Sequence, residues 1–348
     1  MPATSHGAGP RPGPAAAPAA APAEDTAAGP GSAPAGIPPV LAEVVRSGFV
    51  EGLHRGSLVV LAADGSVEQS LGDPYAPFFP RSASKPVQAT AMLRAGLELS
   101  GARLALATAS HSGEPFHLEL VRTMLAEHGL TESRLQCPAE LPLDQEEAER
   151  ALAGGDARSR LAMNCSGKHA AMLATCLANG WSPESYLDPS HPLQQHIAAT
   201  LEELSGDRVA DVGTDGCGAP LMAISLVGLA RAFRTIALAR PDTPAGRVAD
   251  AMRAHPEYVA GTRRHDTWLM RELPGTVSKV GAESVQAVGL ADGRSLAFKI
   301  DDGGNRAVGP VLARTLAKLG VDSPVLARIG DSPLLGGGRR VGEVRAVF

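Results

Sequence analysis

The chain has 348 residues, 44% of them hydrophobic and 3% aromatic, with a formal charge of -5. That length can bury a sizeable core, and interspersed charges with no basic stripe and few stacking rings exclude nucleic acid as a partner. The longest apolar run after the head, Leu221 to Ala230, falls far short of the roughly 20 residues that cross a bilayer, so no membrane partner is expected.

Residues 1–38 are nearly all Ala, Pro and Gly. Such a segment has too little apolar surface to repay the entropy of ordering, and reads as a disordered tail. Prolines interrupt every run that would serve as a secretory signal, which points to a cytoplasmic protein. Residues 39–348 are expected to form a single catalytic domain with two lobes. Ser57 to Ala63, turning at Asp64-Gly65, reads as one hairpin arm. Pro86 suits a first helical turn, and Val87 to Ala95 continues as a helix up to Gly96. Leu104 to Ala109 reads as a strand. Leu118, Val121, Met124 and Leu125 fall at helical spacing before Gly129, and Ile197, Leu201 and Leu204 do so before Gly206. Ser284 to Gly289 and Leu296 to Ile300 form a second hairpin around Asp292-Gly293. Asp301 to Arg306 reads as a turn that caps a helix from about Ala307. Strands at both ends and helices between give an α/β fold, with an antiparallel sheet from both chain ends flanked by helices and a mainly helical lobe.

Arginine dominates the basic residues. Only Lys85, Lys168, Lys279, Lys299 and Lys318 are lysines among 32 Lys plus Arg. Arginine keeps its charge and cannot supply a neutral amine, so lysines retained against this bias are candidates for a base or a ligand. Ser82 and Lys85 lie three apart at a helix start. There an uncharged lysine can take the serine proton, and the positive helix end favours developing negative charge. Ser110-His111-Ser112 and Lys279-Val280-Gly281 follow in the order S-x-x-K, S-x-N and K-[ST]-G take in penicillin-recognising serine enzymes. Their departures from those motifs argue against a β-lactam substrate.

The segments Arg81–Pro86, Ala109–Glu114, Asn164–His169, Asp215–Pro220 and Lys279–Glu283 together resemble the Rhizobium-type bacterial L-asparaginase family over roughly residues 40–348. The resemblance implies a β-lactamase and penicillin-binding-protein-like fold, a homodimer, and release of ammonia from L-asparagine. It also implies two serine–lysine pairs, Ser82 with Lys85 and Ser110 with Lys279, with Ser82 as nucleophile. A zinc ion held by Cys165, Lys168 and Cys217 belongs to the same implication, tuning or structural in role. Ser284 stands where that family often has glycine. Arg81, Glu114 and Asp215, beside the motifs, are candidates to hold an amino-acid substrate, and His111 and His117 read as structural. A glutaminase or a β-lactam-binding hydrolase is the nearest alternative, because one methylene separates asparagine from glutamine. A non-catalytic zinc scaffold is the alternative from another class.

Overall fold

The computed structural model describes residues 36–348, so the reading of residues 1–35 lies outside it. Among the described residues ten strands come in runs of two or three, separated by groups of helices. In chain order they are β1 (Val40–Arg46), β2 (Phe49–Leu61), β3 (Val67–Leu71), β4 (Val212–Thr214), β5 (Pro220–Met222), β6 (Val277–Gly281), β7 (Val285–Gly289), β8 (Ser295–Ile300), β9 (Pro333–Gly336) and β10 (Arg339–Ala346). The two chain ends share one sheet in the order β6-β7-β8-β2-β1-β10-β9, with β3 also on β2, while β4 and β5 form a separate ribbon. Every pairing is antiparallel.

This sheet is covered on both faces, and β2 shows how. Val59 and Leu61 point into a core shared with the helices of the chain's middle, whereas Leu58 and Val60 point into a second core with the helix Val308–Lys318. The alternation is the two-residue period of a strand, used here to bury both faces. Strands β7 and β8 are almost wholly buried for the same reason.

Gly206 ends the helix Pro192–Ser205 in the left-handed region at φ 72°, which a residue without Cβ adopts cheaply. The turn from β6 to β7 instead sets Glu283 and Ser284 both at φ 57°. Positive φ at both central residues defines the hairpin turn that matches strand twist, and glycine suits it best. Ser284 accepts the strain and donates from its hydroxyl to Asn305 Oδ1 at 3.0 Å.

One element differs from the sequence reading. Leu104 to Ala109 is not a strand: residues Gly101–Ala107 form a helix in which Leu104, Ala105, Leu106 and Ala107 are all buried. The four consecutive buried residues Leu104 to Ala107 leave no polar position between them, so this apolar run cannot be told from a strand by periodicity.

Candidate active site

Ser110 sits in the extended link after that short helix, and its backbone is pinned from two sides. Ser110 N–H and Ser112 N–H donate to the carbonyls of Val259 and Ala260, and His111 N–H between them donates to Asn164. Two distant parts of the chain, Val259-Ala260 and Asn164, therefore fix the backbone that carries this hydroxyl. Ser110 Oγ lies 3.1 Å from Lys85 Nζ and 3.2 Å from Lys279 Nζ.

Lys85, 1% exposed, also donates to the Ala109 carbonyl and to Cys165 Sγ at 3.0 Å. Its three N–H groups have three acceptors, and among the described residues none of them is Ser82. Ser82 lies in the turn Arg81–Ser84, ahead of the α-helix that starts at Lys85. The acceptors of the helical lobe draw the Lys85 side chain away from it. Structure thus brings together Ser110, Lys85 and Lys279, and leaves the Ser82 hydroxyl, 8% exposed, without a lysine partner.

Lys279 is fully buried on β6. Burial pushes its amine down to about 7; the Asp266 carboxylate works against that shift, and Lys85 and Arg264 add to it. Its other contact is the carbonyl of Val280 at 2.7 Å. Alternation along β6 puts Gly281 on the same face as Lys279. A Cβ on Gly281 would stand 2.6 Å from Pro80 O and 3.1 Å from Ala83 N, so the strand lies directly against the Ser82 turn. Arg81, just before Ser82, has φ 52°, a strained conformation for a residue with a side chain.

Both serines line an open cleft of about 620 Å³, together with Asn164, Arg264, His265, Glu283 and Asn305. The three substrate-holding candidates from the sequence are not on this wall. The Glu114 carboxylate is occupied by Thr262, accepting from its N–H at 2.8 Å and its hydroxyl at 2.7 Å. Arg81 Nε donates to Asp215 Oδ1 at 2.8 Å, so these two satisfy each other. Arg81 lines a neighbouring cavity of about 430 Å³ with Phe79 and Lys299.

Three residues to which the sequence reading gave no role of their own matter instead. Arg264 has no carboxylate partner among the described residues, and Glu283 stands 60% exposed at the mouth, 3.9 Å from Arg81. Asp266, fully buried, accepts from Ser278 Oγ at 2.6 Å and Val280 N–H at 2.9 Å. Burial opposes its charge, but His265, Lys279 and these hydrogen bonds outweigh that and hold it down to about 2. No motif marks Arg264 or Asp266, which stand at the N-cap and in the first turn of the short helix His265–Glu272.

Behind Lys85, Cys165, Lys168, His169 and Cys217 converge, none more than 3% exposed. Cys165 caps the helix Ser166–Asn179, as the motif spacing requires. Lys168 Nζ lies 3.1 Å from Cys217 Sγ. The neighbouring Cys165 sulfur and, against burial, the Lys168 amine draw the Cys217 thiol well below its ordinary value. Burial opposes charge on Lys168, and Cys217 and Cys165 outweigh it and raise the amine.

Among the described residues no three His, Cys, Asp or Glu side chains gather as a metal centre. The set implied by the resemblance, two sulfurs and an amine, nevertheless fits zinc in donor chemistry, and beside it His169 Nε2 is buried without a partner among the described residues. His169 Nδ1 is engaged with the Tyr186 hydroxyl at 2.7 Å. Cys137 and Cys176 are buried thiols, pushed up to about 12 and about 11 by burial. His111 and His117 stack with ring centroids 5.1 Å apart. Burial pushes His111 well down and His117 to about 4.

A serine hydroxyl held between two buried lysine amines beside an open cleft is the equipment of an amide-cleaving enzyme, and the chain is an amidohydrolase by class. The family model described as L-asparaginase II matches residues 42–346, and the chain belongs to that family. No curated protein matches the sequence. Solved structures similar to it include a β-lactamase from Mycobacterium bovis, 16% identical with a TM-score of 0.43, covering 76% of this chain and 95% of that one. A probable glutaminase is 16% identical with a TM-score of 0.41, covering 77% of this chain and 86% of its own. No helix of the described residues is long and apolar enough to cross a membrane.

Proposed function

We propose that the chain hydrolyses L-asparagine to L-aspartate and ammonia through an ester on a serine. The observation that carries this reading is Ser110 Oγ, within 3.2 Å of two buried lysine amines on the wall of the cleft. With its amine near 7, uncharged Lys279 takes the Ser110 proton as Oγ attacks the side-chain amide carbon. The protonated lysine then gives that proton to the departing nitrogen, and ammonia leaves. Water repeats the sequence on the aspartyl ester, restoring the hydroxyl and releasing the acid. Lys85 orients Ser110 and places one N–H donor beside the developing alkoxide.

A free amino acid brings two further charges. Arg264, unpaired on the cleft wall, suits the α-carboxylate, and Glu283 at the mouth suits the α-ammonium.

A second reading makes Ser82 the nucleophile, with the Ser110 pair assisting. What favours it is the strain at Arg81, which presents Ser82 at the start of a helical segment.

Zinc belongs to the proposal as well. Cys165, Lys168 and Cys217 would hold it, with His169 completing or orienting the set. Bound there, zinc would supply a fixed positive charge behind the catalytic lysines and favour the uncharged form of the Lys168 amine.

Ammonia release from asparagine and from glutamine, with trapping of the acyl-enzyme and peptide mapping, tests the reading. Preference for asparagine with the acyl group on Ser110 is expected. An acyl group on Ser82 would move the nucleophile there, a glutamine preference would make the chain a glutaminase, and no ammonia from either would end the proposal.

A further inference from the structure

Beside the catalytic cleft lies a second cavity of about 280 Å³, whose wall includes Arg264, Arg306, Arg328, Trp268, Asn305 and Asp331. Arg264, His265 and Asn305 line both cavities. Arg263 on the same wall has three carboxylate partners: Asp144 at 2.6 Å, Glu147 at 2.9 Å and Glu146 at 3.4 Å. Arg264, Arg306 and Arg328 have none among the described residues. The one carboxylate on the wall, Asp331, is itself held by Arg340 at 2.8 Å.

Of the guanidiniums proper to this cavity, the two without a carboxylate are held in place rather than left to wander. Arg328 lies over the Trp268 ring, 3.6 Å from its centroid, and the indole N–H donates to the Thr262 carbonyl at 3.0 Å. Arg306 donates through Nε to His54 Nε2 at 3.0 Å, which leaves its terminal N–H groups for another acceptor. His54 Nδ1 in turn lies 2.7 Å from Asp302 Oδ2. Asn305 Oδ1 accepts from Ser284, so its amide N–H groups are free to donate. Gly309 and Pro310 bring the start of the helix Val308–Lys318 to the wall, with no acidic residue in its first turn and no side-chain cap. Three unpaired guanidiniums so close together repel one another unless an anion lies between them. Their planar forks suit an oxyanion.

We propose that this cavity binds an oxyanion carrying at least two negative charges, a phosphate group or a small dicarboxylate. Arg264 connects the two cavities, so an anion seated on Arg306 and Arg328 competes with the substrate carboxylate for it and weakens substrate capture. The kinetic part rests on the amide hydrolysis proposed above; the binding part does not, so the two can fail separately.

Calorimetric titration of the full chain with inorganic phosphate, with succinate and with acetate tests the site. Saturable binding of phosphate or succinate at one site per chain, with acetate at least tenfold weaker, is expected, and the arm that binds more tightly identifies the source. Arg306→Gln should weaken that binding at least tenfold, as should Arg328→Gln. Arg306, which is exposed, carries the test if loss of the Trp268 contact costs Arg328→Gln its fold. With asparagine as substrate, the better anion should raise KM and leave kcat, and in Arg306→Gln this effect should disappear. No saturable binding of phosphate or succinate, or binding unchanged in Arg306→Gln, overturns the site. Binding that is lost in Arg306→Gln but leaves KM unmoved overturns the competition for Arg264.

Discussion

Lysine 279 is the residue on which the chemistry turns. A buried amine titrating near 7 is protonated and unable to act as a base in acid, and becomes competent as pH rises. The dependence of kcat/KM on pH should therefore climb with an apparent pKa near 7 and level off above it, measured by initial rates of ammonia release; a rate independent of pH between 5 and 9 would contradict the assignment. Asp266 raises the affinity of Lys279 for its proton, so Asp266→Asn should move this limb to lower pH. A merely structural role for Asp266 would lower the rate without moving the limb. Arg264→Gln should raise KM for asparagine by about 10- to 100-fold, the loss of one charge-assisted hydrogen bond, with a smaller change in kcat.

The sequence revealed the lysines because arginine had replaced them almost everywhere else, and an uncharged amine is what arginine cannot offer. It could not reveal which serine they face. Ser82 and Lys85 are neighbours in sequence, whereas the contact from Lys85 to Ser110 depends on how the segment after Ala109 is threaded between Val259, Ala260 and Asn164. Arg81 with Asp215 and Glu114 with Thr262 show the same limit. Their side chains find partners far along the chain before any substrate arrives.

Elements place these residues through close backbone contacts at two glycines. A Cβ on Gly167 would lie 2.6 Å from both the Cγ and the carbonyl oxygen of Leu106, so the helix Ser166–Asn179, which carries Lys168, crosses the short helix Gly101–Ala107 nearly in contact. Gly167→Ala should push the two apart and cost about 1–3 kcal/mol, read from chemical denaturation; an unchanged midpoint would mean the helices have room to spare. Gly281→Ala should wedge β6 away from Pro80 and Ala83 and lower kcat while leaving overall secondary structure intact by circular dichroism. The hairpins and amphipathic helices were legible because their turn residues and apolar periods are local signals. Helix Gly101–Ala107 was not, because Leu104 to Ala107 are buried without a break and leave no polar position to show its period.

At the scale of the molecule, sheet strands from both chain ends carry Lys279 to a helical lobe that carries Lys85, Ser110 and the cysteine cluster. That joining of distant segments was readable from hairpins at either end of a helical middle, and the pairing order was not, since nothing local sets which strand of one end meets which strand of the other. If the cluster holds zinc, metal analysis of the purified chain should find about one zinc per chain, and Cys217→Ser should lose it and lower the thermal midpoint. A chain that purifies without zinc, and whose midpoint Cys217→Ser leaves unchanged, would rule zinc out. The most direct test of the whole is ammonia release from asparagine by wild type, Ser110→Ala and Lys279→Met, each checked for native circular dichroism. The account predicts turnover by wild type and a loss of about 10²–10⁴-fold or more in both variants; wild-type turnover in either folded variant would contradict it.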